Sequence, residues 1–209
     1  MPLLEELQAQ ENQQEETPSY GASSESLDEG RKNLSSILSN ISQSVQYQPQ
    51  DNTQGNITSP ADYGNISSAM SKMGSITTPY GGNTRFEGFH PGVDIANKIG
   101  TPIESFSPGV VTQVESGHKQ GDKAFGNYII VTDPQGNQHR YSHLSQSFVR
   151  VGDPITQGED IAAMGNTGNT YSTSGGTGSH LDYRIKDAAG RYLNPYSYLS
   201  NFYNQKYGR

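Results

Sequence analysis

The sequence predicts a mainly antiparallel β domain, of the sandwich or barrel-like kind, preceded by a polar arm. Short β-branched runs separated by Gly, Pro and Asn turns fill the chain from Gly74 onward. A helical periodicity is almost absent from the same region. Residues 1–73 are instead rich in Gln, Asn, Ser and Glu, and such a composition buries too little apolar surface to offset the entropy of ordering. We therefore divide the chain into a largely extended or disordered arm, 1–73, and a domain, 74–209.

The arm contains one candidate helix, near residues 27–47. Apolar side chains recur there at helical spacing, at Leu34, Ile37, Leu38, Ile41 and Val45. Pro49 lies just beyond them and is typical of a helix end. Such an amphipathic helix needs a partner for its apolar face. It packs on its own domain, docks onto a larger assembly or a second copy, or stays solvated, and the sequence leaves these alternatives open.

Charge and composition narrow the classes of function. The formal charge of −7 originates in the arm, because residues 1–75 carry ten acidic and three basic side chains, whereas 76–209 carry eleven of each. A neutral domain without a basic stripe argues against nucleic-acid binding. We expect neither a signal peptide nor a membrane span, since residues 1–16 lack a basic start with an apolar run and no stretch is long enough to cross a bilayer. Without cysteine, any metal must be held by His and carboxylates.

The β domain begins with a predicted meander. Residues 109–114 and 128–132 are β-branched runs, and the turn 134–137 returns the chain along 138–142. Short apolar pieces follow at 154–155 and 161–164, each beside a Gly-containing turn. The alternation in 181–185 predicts a last strand. These short strands together favour an all-β architecture.

Two pairs of polar residues could carry chemistry. His90 and Asp94 are four residues apart around a Pro-Gly turn, and an even separation places both on one face of an extended segment. His180 and Asp182 flank Leu181 and point the same way from a strand. Taken singly, each pair is better explained as a turn or surface pair without a functional role. The loop 171–179, rich in Ser, Thr and Gly, is expected to border a cleft.

Together with His143, these residues match the requirements of a catalytic metal site. Zinc commonly takes three nitrogen or oxygen ligands and activates a water, and histidines nearby can move protons at neutral pH. The other two histidines, His118 and His139, fit no such pattern and are expected at the surface.

At these residues the sequence resembles the lysostaphin/LytM-like zinc endopeptidases, from about Ile76 to Leu199. The motifs that carry the resemblance occur in the same order: Gly88-Phe89-His90-Pro91-Gly92-Val93-Asp94, Tyr141-Ser142-His143-Leu144-Ser145, Gly165-Asn166-Thr167-Gly168 and Gly178-Ser179-His180-Leu181-Asp182-Tyr183-Arg184. The resemblance implies a peptidase domain of the duplicated hybrid motif type that cleaves peptide cross-links of bacterial peptidoglycan.

The resemblance also implies a ligand set. His90, Asp94 and Asp182 would hold one zinc ion, with His143 and His180 as general base and transition-state hydrogen-bond partners. Asp182 departs from the family, which usually has histidine there. A second carboxylate brings more negative charge, which should reduce the Lewis acidity of the metal and raise the pKa of its water. It also moves the set toward harder cations such as manganese.

Two functions of different classes follow. The first is an active endopeptidase associated with a phage virion for wall penetration, held by other virion proteins through its arm and located in the host cytoplasm before assembly or lysis. The second is a catalytically degenerate, metal-poor module that is structural or binds the cell wall. For the setting, the alternatives are a lysis enzyme or a bacterial autolysin fragment.

Overall fold

The computed structural model of the chain describes residues 73–207 and four isolated positions in the arm, Lys32, Ser36, Ile37 and Ser39. These four positions are helical. The rest of the helix predicted near 27–47, like the rest of the arm, lies outside the described residues.

Eleven strands and one helix form the domain within residues 73–207. Their bounds are β1 (Ser75–Thr78), β2 (Val93–Ala96), β3 (Pro102–Glu104), β4 (Gly109–Glu115), β5 (Tyr128–Thr132), β6 (Gln138–Ser142), β7 (Leu144–Ser147), β8 (Pro154–Ile155), β9 (Asp160–Met164), β10 (His180–Lys186), β11 (Tyr192–Leu193) and α1 (Tyr196–Tyr207). The strands predicted from the meander, the short apolar pieces and the last alternating run all form, with boundaries within one residue of the predicted ones.

The strands assemble into two antiparallel sheets. The larger has the order β1-β2-β10-β6-β5-β4-β8, with β11 paired to the end of β10, and the smaller has the order β3-β9-β7. Every strand pairing in both sheets is antiparallel. The predicted class, mainly antiparallel β, is therefore confirmed for the domain.

Strand alternation separates the core from the site. In β10, Leu181, Tyr183 and Ile185 are fully buried in the hydrophobic core, which also receives side chains from the smaller sheet and from α1. His180 and Asp182 alternate with these core residues along β10 and therefore face the opposite side of the sheet. The same strand thus anchors the core and presents the polar groups.

The C-terminal helix α1 differs from the expectation of almost no helix in this region. Asn194 caps it by accepting a hydrogen bond from the backbone N–H of Tyr196 at 3.1 Å. Its buried face includes Tyr196, Leu199 and Tyr203, which are three and four residues apart, and Tyr198 and Phe202 beside them are buried as well. Tyrosine is common in strands, so a tyrosine-rich segment gives a weak helical signal although the spacing is helical. Among the described residues, no helix combines the length and apolar character that crossing a bilayer requires.

The prediction that His139 lies at the surface is wrong. His139 is fully buried, and its Nε2 is 3.2 Å from Oδ2 of Asp133 while its Nδ1 is 2.7 Å from the hydroxyl of Tyr183. On β6 it is two residues from Tyr141 and therefore shares the core face. His118 is mostly covered as well, and its Nε2 lies 2.8 Å from a carboxylate oxygen of Glu115.

Candidate active site

Neighbouring strands bring the two polar pairs together. Asp94 on β2 and Asp182 on β10 are direct register partners. His90 reaches them from a bend that precedes β2, held by two backbone hydrogen bonds of 2.8 Å to Gly81 and Gly82. The pairing of His90 with Asp94 was predicted from the alternation of an extended segment. It arises instead because the chain bends at Pro91 and then enters the strand.

The three side chains form a compact cluster of metal-ligating atoms. Nε2 of His90 lies 3.1 Å from Oδ1 of Asp94 and 3.9 Å from Oδ1 of Asp182, and the ligand atoms all fall within 4.8 Å of one another. All three residues are buried. Nε2 of His90 and Oδ1 of Asp94 are not aligned as a hydrogen bond and have no other hydrogen-bond partner in the described part of the chain. Burying two polar atoms without partners is costly, so the cluster fits a cation.

Electrostatics in the cluster favour charged carboxylates. Burial raises the pKa of Asp94, but His90 and His180 lower it more, so this pKa lies below its ordinary value. Burial lowers the pKa of His90, but the nearby charges of Asp94 and Asp182 raise it above its ordinary value. The two shifts share one main cause, the attraction between the Asp94 carboxylate and the imidazole of His90. A divalent cation would satisfy the same charge.

His143 stands beside this cluster in an unusual backbone conformation. It follows β6 directly and has a φ of 65°, the only positive φ of a non-glycine residue within the described chain. Its Nδ1 is 2.7 Å from the backbone carbonyl oxygen of Thr167. Since a carbonyl only accepts, Nδ1 carries the proton and Nε2 is the free lone pair. Burial and the neighbouring His180 lower the pKa of His143 to about 4, so the ring is neutral at pH 7.

His180 is oriented in the same way. Its Nδ1 donates to the backbone carbonyl oxygen of Gly178 at 2.8 Å, which leaves Nε2 to face the cluster. That Nε2 lies 4.0 Å from Oδ1 of Asp94, and the rings of His143 and His180 are 4.6 Å apart. Both imidazoles therefore line one side of the cluster, each with its Nε2 facing it.

Two charged residues that sequence reasoning did not single out complete the site. Arg184 donates from Nε to both oxygens of Asp182 at 2.9 Å, with Nη2 at an ion-pair distance of 2.8 Å from Oδ2, and from Nη1 and Nη2 to Glu87 at 2.8 and 2.9 Å. Glu87 in turn lies 3.2 Å from Nδ1 of His90. Strand alternation could have found Arg184, which is two residues from Asp182. Glu87 lies in a loop, and no pattern in the sequence pointed to it.

A cleft of about 600 Å³ opens above the cluster. It lies between the segment 83–87 and the loop 169–179, as the Ser/Thr/Gly-rich composition predicted. The two loops meet where the guanidinium of Arg85 lies 4.4 Å from the ring centre of Tyr171. Phe86 is exposed at the same rim, with 57% of its surface accessible. The cleft is thus open and partly aromatic.

The fold and the site define a class: an antiparallel β domain with a His/Asp metal-ligand cluster and two imidazoles beside it. The model of Peptidase family M23 matches residues 88–195, just over half of the chain. The chain therefore belongs to Peptidase family M23, and its His/Asp cluster is consistent with a metal cofactor.

Relatives and one solved structure agree with this membership. The chain is 34% identical over 96 residues to the peptidoglycan DD-endopeptidase ShyA of Vibrio cholerae, covering 46% of this chain and 20% of ShyA. It is 31% identical over 131 residues to an uncharacterized metalloprotease of Haemophilus influenzae, covering 60% of this chain and 25% of that protein. The structure of the antimicrobial peptidase lysostaphin from Staphylococcus simulans superposes with a TM-score of 0.51 at 26% identity, covering 66% of this chain and 54% of lysostaphin. The matched region spans a quarter or less of the curated relatives.

Proposed function

We propose that the chain is a zinc-dependent endopeptidase that cleaves the peptide cross-links of bacterial peptidoglycan. The observation that carries this proposal is the buried pair of polar atoms without hydrogen bonds, His90 Nε2 and Asp94 Oδ1, next to Asp182 and two oriented imidazoles. Membership of Peptidase family M23 and the similarity to a peptidoglycan DD-endopeptidase support the reaction and the substrate.

The ligand set accommodates zinc well. A tetrahedral zinc with ligands at 2.0–2.1 Å needs ligand atoms about 3.3 Å apart, and the separations from His90 Nε2 are 3.1 and 3.9 Å. Two carboxylates with one imidazole also suit manganese. When bound, the metal supplies Lewis acidity that polarises the peptide carbonyl and makes water a better nucleophile.

His143 and His180 supply the proton transfers. Each donates its Nδ1 proton to a backbone carbonyl, at Thr167 and Gly178 respectively, so each presents its Nε2 toward the cluster. A neutral imidazole there accepts the proton of the attacking water as a general base. Once protonated, it donates to the oxyanion or to the leaving amine. With two such rings 4.6 Å apart, one can accept while the other stabilises the developing charge.

A digestion assay tests the function directly. Purified chain should solubilise peptidoglycan, lose that activity when a chelator removes the metal, and regain it on addition of zinc or manganese. Metal-replete chain that leaves peptidoglycan intact would exclude the proposed activity. Activity that is unchanged by complete removal of metal would exclude the metal dependence.

One contact favours a second candidate function, a metal-poor module that binds the cell wall without cutting it. Arg184 already contacts both oxygens of Asp182, and a guanidinium on the third ligand competes with a cation. The metal content of the purified chain separates the two functions. About one equivalent of metal supports the enzyme, whereas metal-free chain that still sediments with peptidoglycan supports the binding module.

We further propose a phage virion as the setting, with the arm, 1–73, held by other virion proteins. Its polar composition and candidate amphipathic helix suit a segment that orders on docking. In this setting the chain waits in the host cytoplasm before assembly and acts on the wall of the next host. Mass spectrometry of purified particles should detect peptides of both arm and domain. Their absence from particles, with the chain present in the lysate, would instead favour a lysis enzyme.

A further inference from the structure

Glu87 and Arg184 form a continuous bridge behind the candidate metal site. Arg184 contacts Asp182 on one side and Glu87 on the other, and Glu87 contacts Nδ1 of His90. Two of the three candidate ligands, which come from different segments of the chain, are thus joined by side-chain hydrogen bonds. Ligating histidines commonly donate their second nitrogen to a carboxylate, which fixes the ring. Here the same carboxylate also holds the arginine that orients the unusual third ligand.

The contact with Arg184 leaves one oxygen of Asp182 accessible to a metal. Nε of Arg184 donates to both oxygens of Asp182 at 2.9 Å, and Nη2 adds an ion-pair contact of 2.8 Å to Oδ2 but none to Oδ1. A carboxylate oxygen has lone pairs for two partners. Oδ1 is also the oxygen that lies 3.9 Å from Nε2 of His90. The arginine therefore turns the carboxylate so that its less engaged oxygen points into the cluster.

The bridge adds order without adding net charge. Arg184 donates from Nη1 and Nη2 to the two carboxylate oxygens of Glu87 at 2.8 and 2.9 Å, so a positive and a negative group lie side by side. Their charges cancel. The charge left for a metal is that of Asp94 and Asp182, which matches a divalent cation.

We propose that Glu87 and Arg184 are positioning residues that make an aspartate workable as the third metal ligand. Arg184 fixes which oxygen of Asp182 faces the metal and withdraws part of its negative charge, and Glu87 couples that orientation to the ring of His90. This inference rests on the metal site of the proposed function.

Gly92 shows how closely the arginine is packed against the ligand. A Cβ at Gly92 would lie 2.6 Å from Cγ of Arg184, 2.7 Å from the carbonyl oxygen of Tyr183 and 3.0 Å from Oδ1 of Asp182. The bend after His90 therefore needs glycine so that Arg184 can lie flat beside Asp182. The same bend brings His90 to the cluster.

The first experiment measures zinc affinity by competition with a chromogenic chelator, together with the melting temperature of the metal-free protein. R184Q should bind zinc about 10–100-fold more weakly than the wild type, as expected when an outer partner of a ligand is lost. R184K keeps the positive charge but lacks the planar guanidinium, so its zinc affinity should lie between those of R184Q and the wild type. E87Q, at a less buried residue, should also weaken binding. The matched control is R191Q, which removes an exposed arginine that pairs with Asp187, and its zinc affinity should equal that of the wild type.

A second measurement separates positioning from a general effect on folding. In a D182H background the third ligand is an imidazole, and once one of its nitrogens binds the metal the other is an N–H donor that cannot accept from Arg184. The change R184Q should then leave zinc affinity unchanged or improve it, in contrast to its effect beside Asp182. An equal loss in both backgrounds, or R184Q binding zinc as tightly as the wild type, would overturn the inference. If the wild type itself binds no divalent metal, the metal site of the proposed function fails and this inference fails with it.

Discussion

At the scale of single residues, the effect of Asp182 on a bound metal depends on its contact with Arg184 as well as on its own negative charge. Two carboxylates and one imidazole should reduce the Lewis acidity of a metal and favour a harder cation. Arg184 contacts Asp182 at 2.8–2.9 Å and offsets part of that negative charge. The aspartate and the arginine should therefore be considered as one unit. Zinc then remains a reasonable occupant of a site that is unusually rich in carboxylates.

The role of His143 leads to a kinetic prediction. H143Q removes the imidazole that accepts a proton but leaves His90, Asp94 and Asp182 in place. We expect kcat to fall by about 10²–10⁴-fold, the usual contribution of a general acid–base group, while zinc affinity stays within a few-fold of the wild type. The matched control is H118Q, because His118 contacts Glu115 rather than the cluster. Full activity of H143Q, or loss of its metal, would show that His143 is not a proton-transfer residue.

At the scale of elements, two loops in contact with each other position His143. One contains Phe125 and Gly126 and precedes β5, and the other contains Thr167 and follows β9. The carbonyl of Thr167 orients the His143 ring, and the backbone N–H of His143 donates to the carbonyl of Phe125 at 3.0 Å. Gly126, with a φ of 56°, allows the two loops to approach, because a Cβ there would lie 2.3 Å from the carbonyl carbon of Thr167. Backbone contact between loops thus sets the geometry of a side chain in the site.

Replacing this glycine should disturb the site more than the fold. G126A and G121A both place alanine at a positive φ, which costs about 1–2 kcal/mol in each case. Only the Cβ of the first meets other atoms, since the space around Gly121 is open. G126A should therefore lower kcat far more than G121A, and it should also lower the melting temperature further, because its Cβ collides with the backbone of Thr167. Equal kcat values for the two variants would contradict a dependence of His143 on this contact.

Sequence patterns predict the strands, in which side chains alternate between the two faces of a sheet. The strands of the meander and β10 follow from runs such as 128–132 and 181–185, because each places one set of side chains in the core. The helix α1 was missed because its buried tyrosines are equally at home in strands. Glu87 was missed because a loop residue acquires its partners only through the folded chain. Local pattern therefore predicts the sheet, while charge networks need tertiary structure.

At the scale of the whole molecule, a polar network in the core ties the larger sheet to α1. Asp133 is fully buried and accepts hydrogen bonds from the backbone N–H groups of Gln135 and Asn137 and from the Asn137 amide, with His139 3.2 Å away. The hydroxyl of Tyr198 on α1 also bonds the Asn137 amide. His139, expected at the surface, thus belongs to the internal structure. The alternation that places Tyr141 in the core could have indicated this.

This network leads to a prediction about acid stability. Burial raises the pKa of Asp133, but His139 and Asn137 lower it more, so the folded pKa lies below the unfolded value. A lowered carboxyl pKa gives stability that is fully present above the unfolded pKa, about 3.9, and lost as pH falls through the folded pKa.

The variant D133N tests this account. It should reduce the free energy of unfolding at pH 7 by about 1–3 kcal/mol, because buried donors lose a charged acceptor, and it should flatten the decline of stability below pH 4. Urea unfolding at several pH values measures both effects. If the free energy of unfolding of D133N declines below pH 4 as steeply as that of the wild type, other carboxylates cause the decline. The control is D160N, since Asp160 is exposed at the start of β9.

The central claim is that the chain cuts peptide bonds in peptidoglycan with a metal held by His90, Asp94 and Asp182. Mass spectrometry of the fragments that metal-replete chain releases from purified peptidoglycan tests it most directly. The account predicts new amino termini within the cross-linking peptides, intact glycan bonds, and no such fragments after treatment with a chelator. Fragments produced by glycan cleavage, or identical peptide fragments from fully metal-free chain, would contradict it.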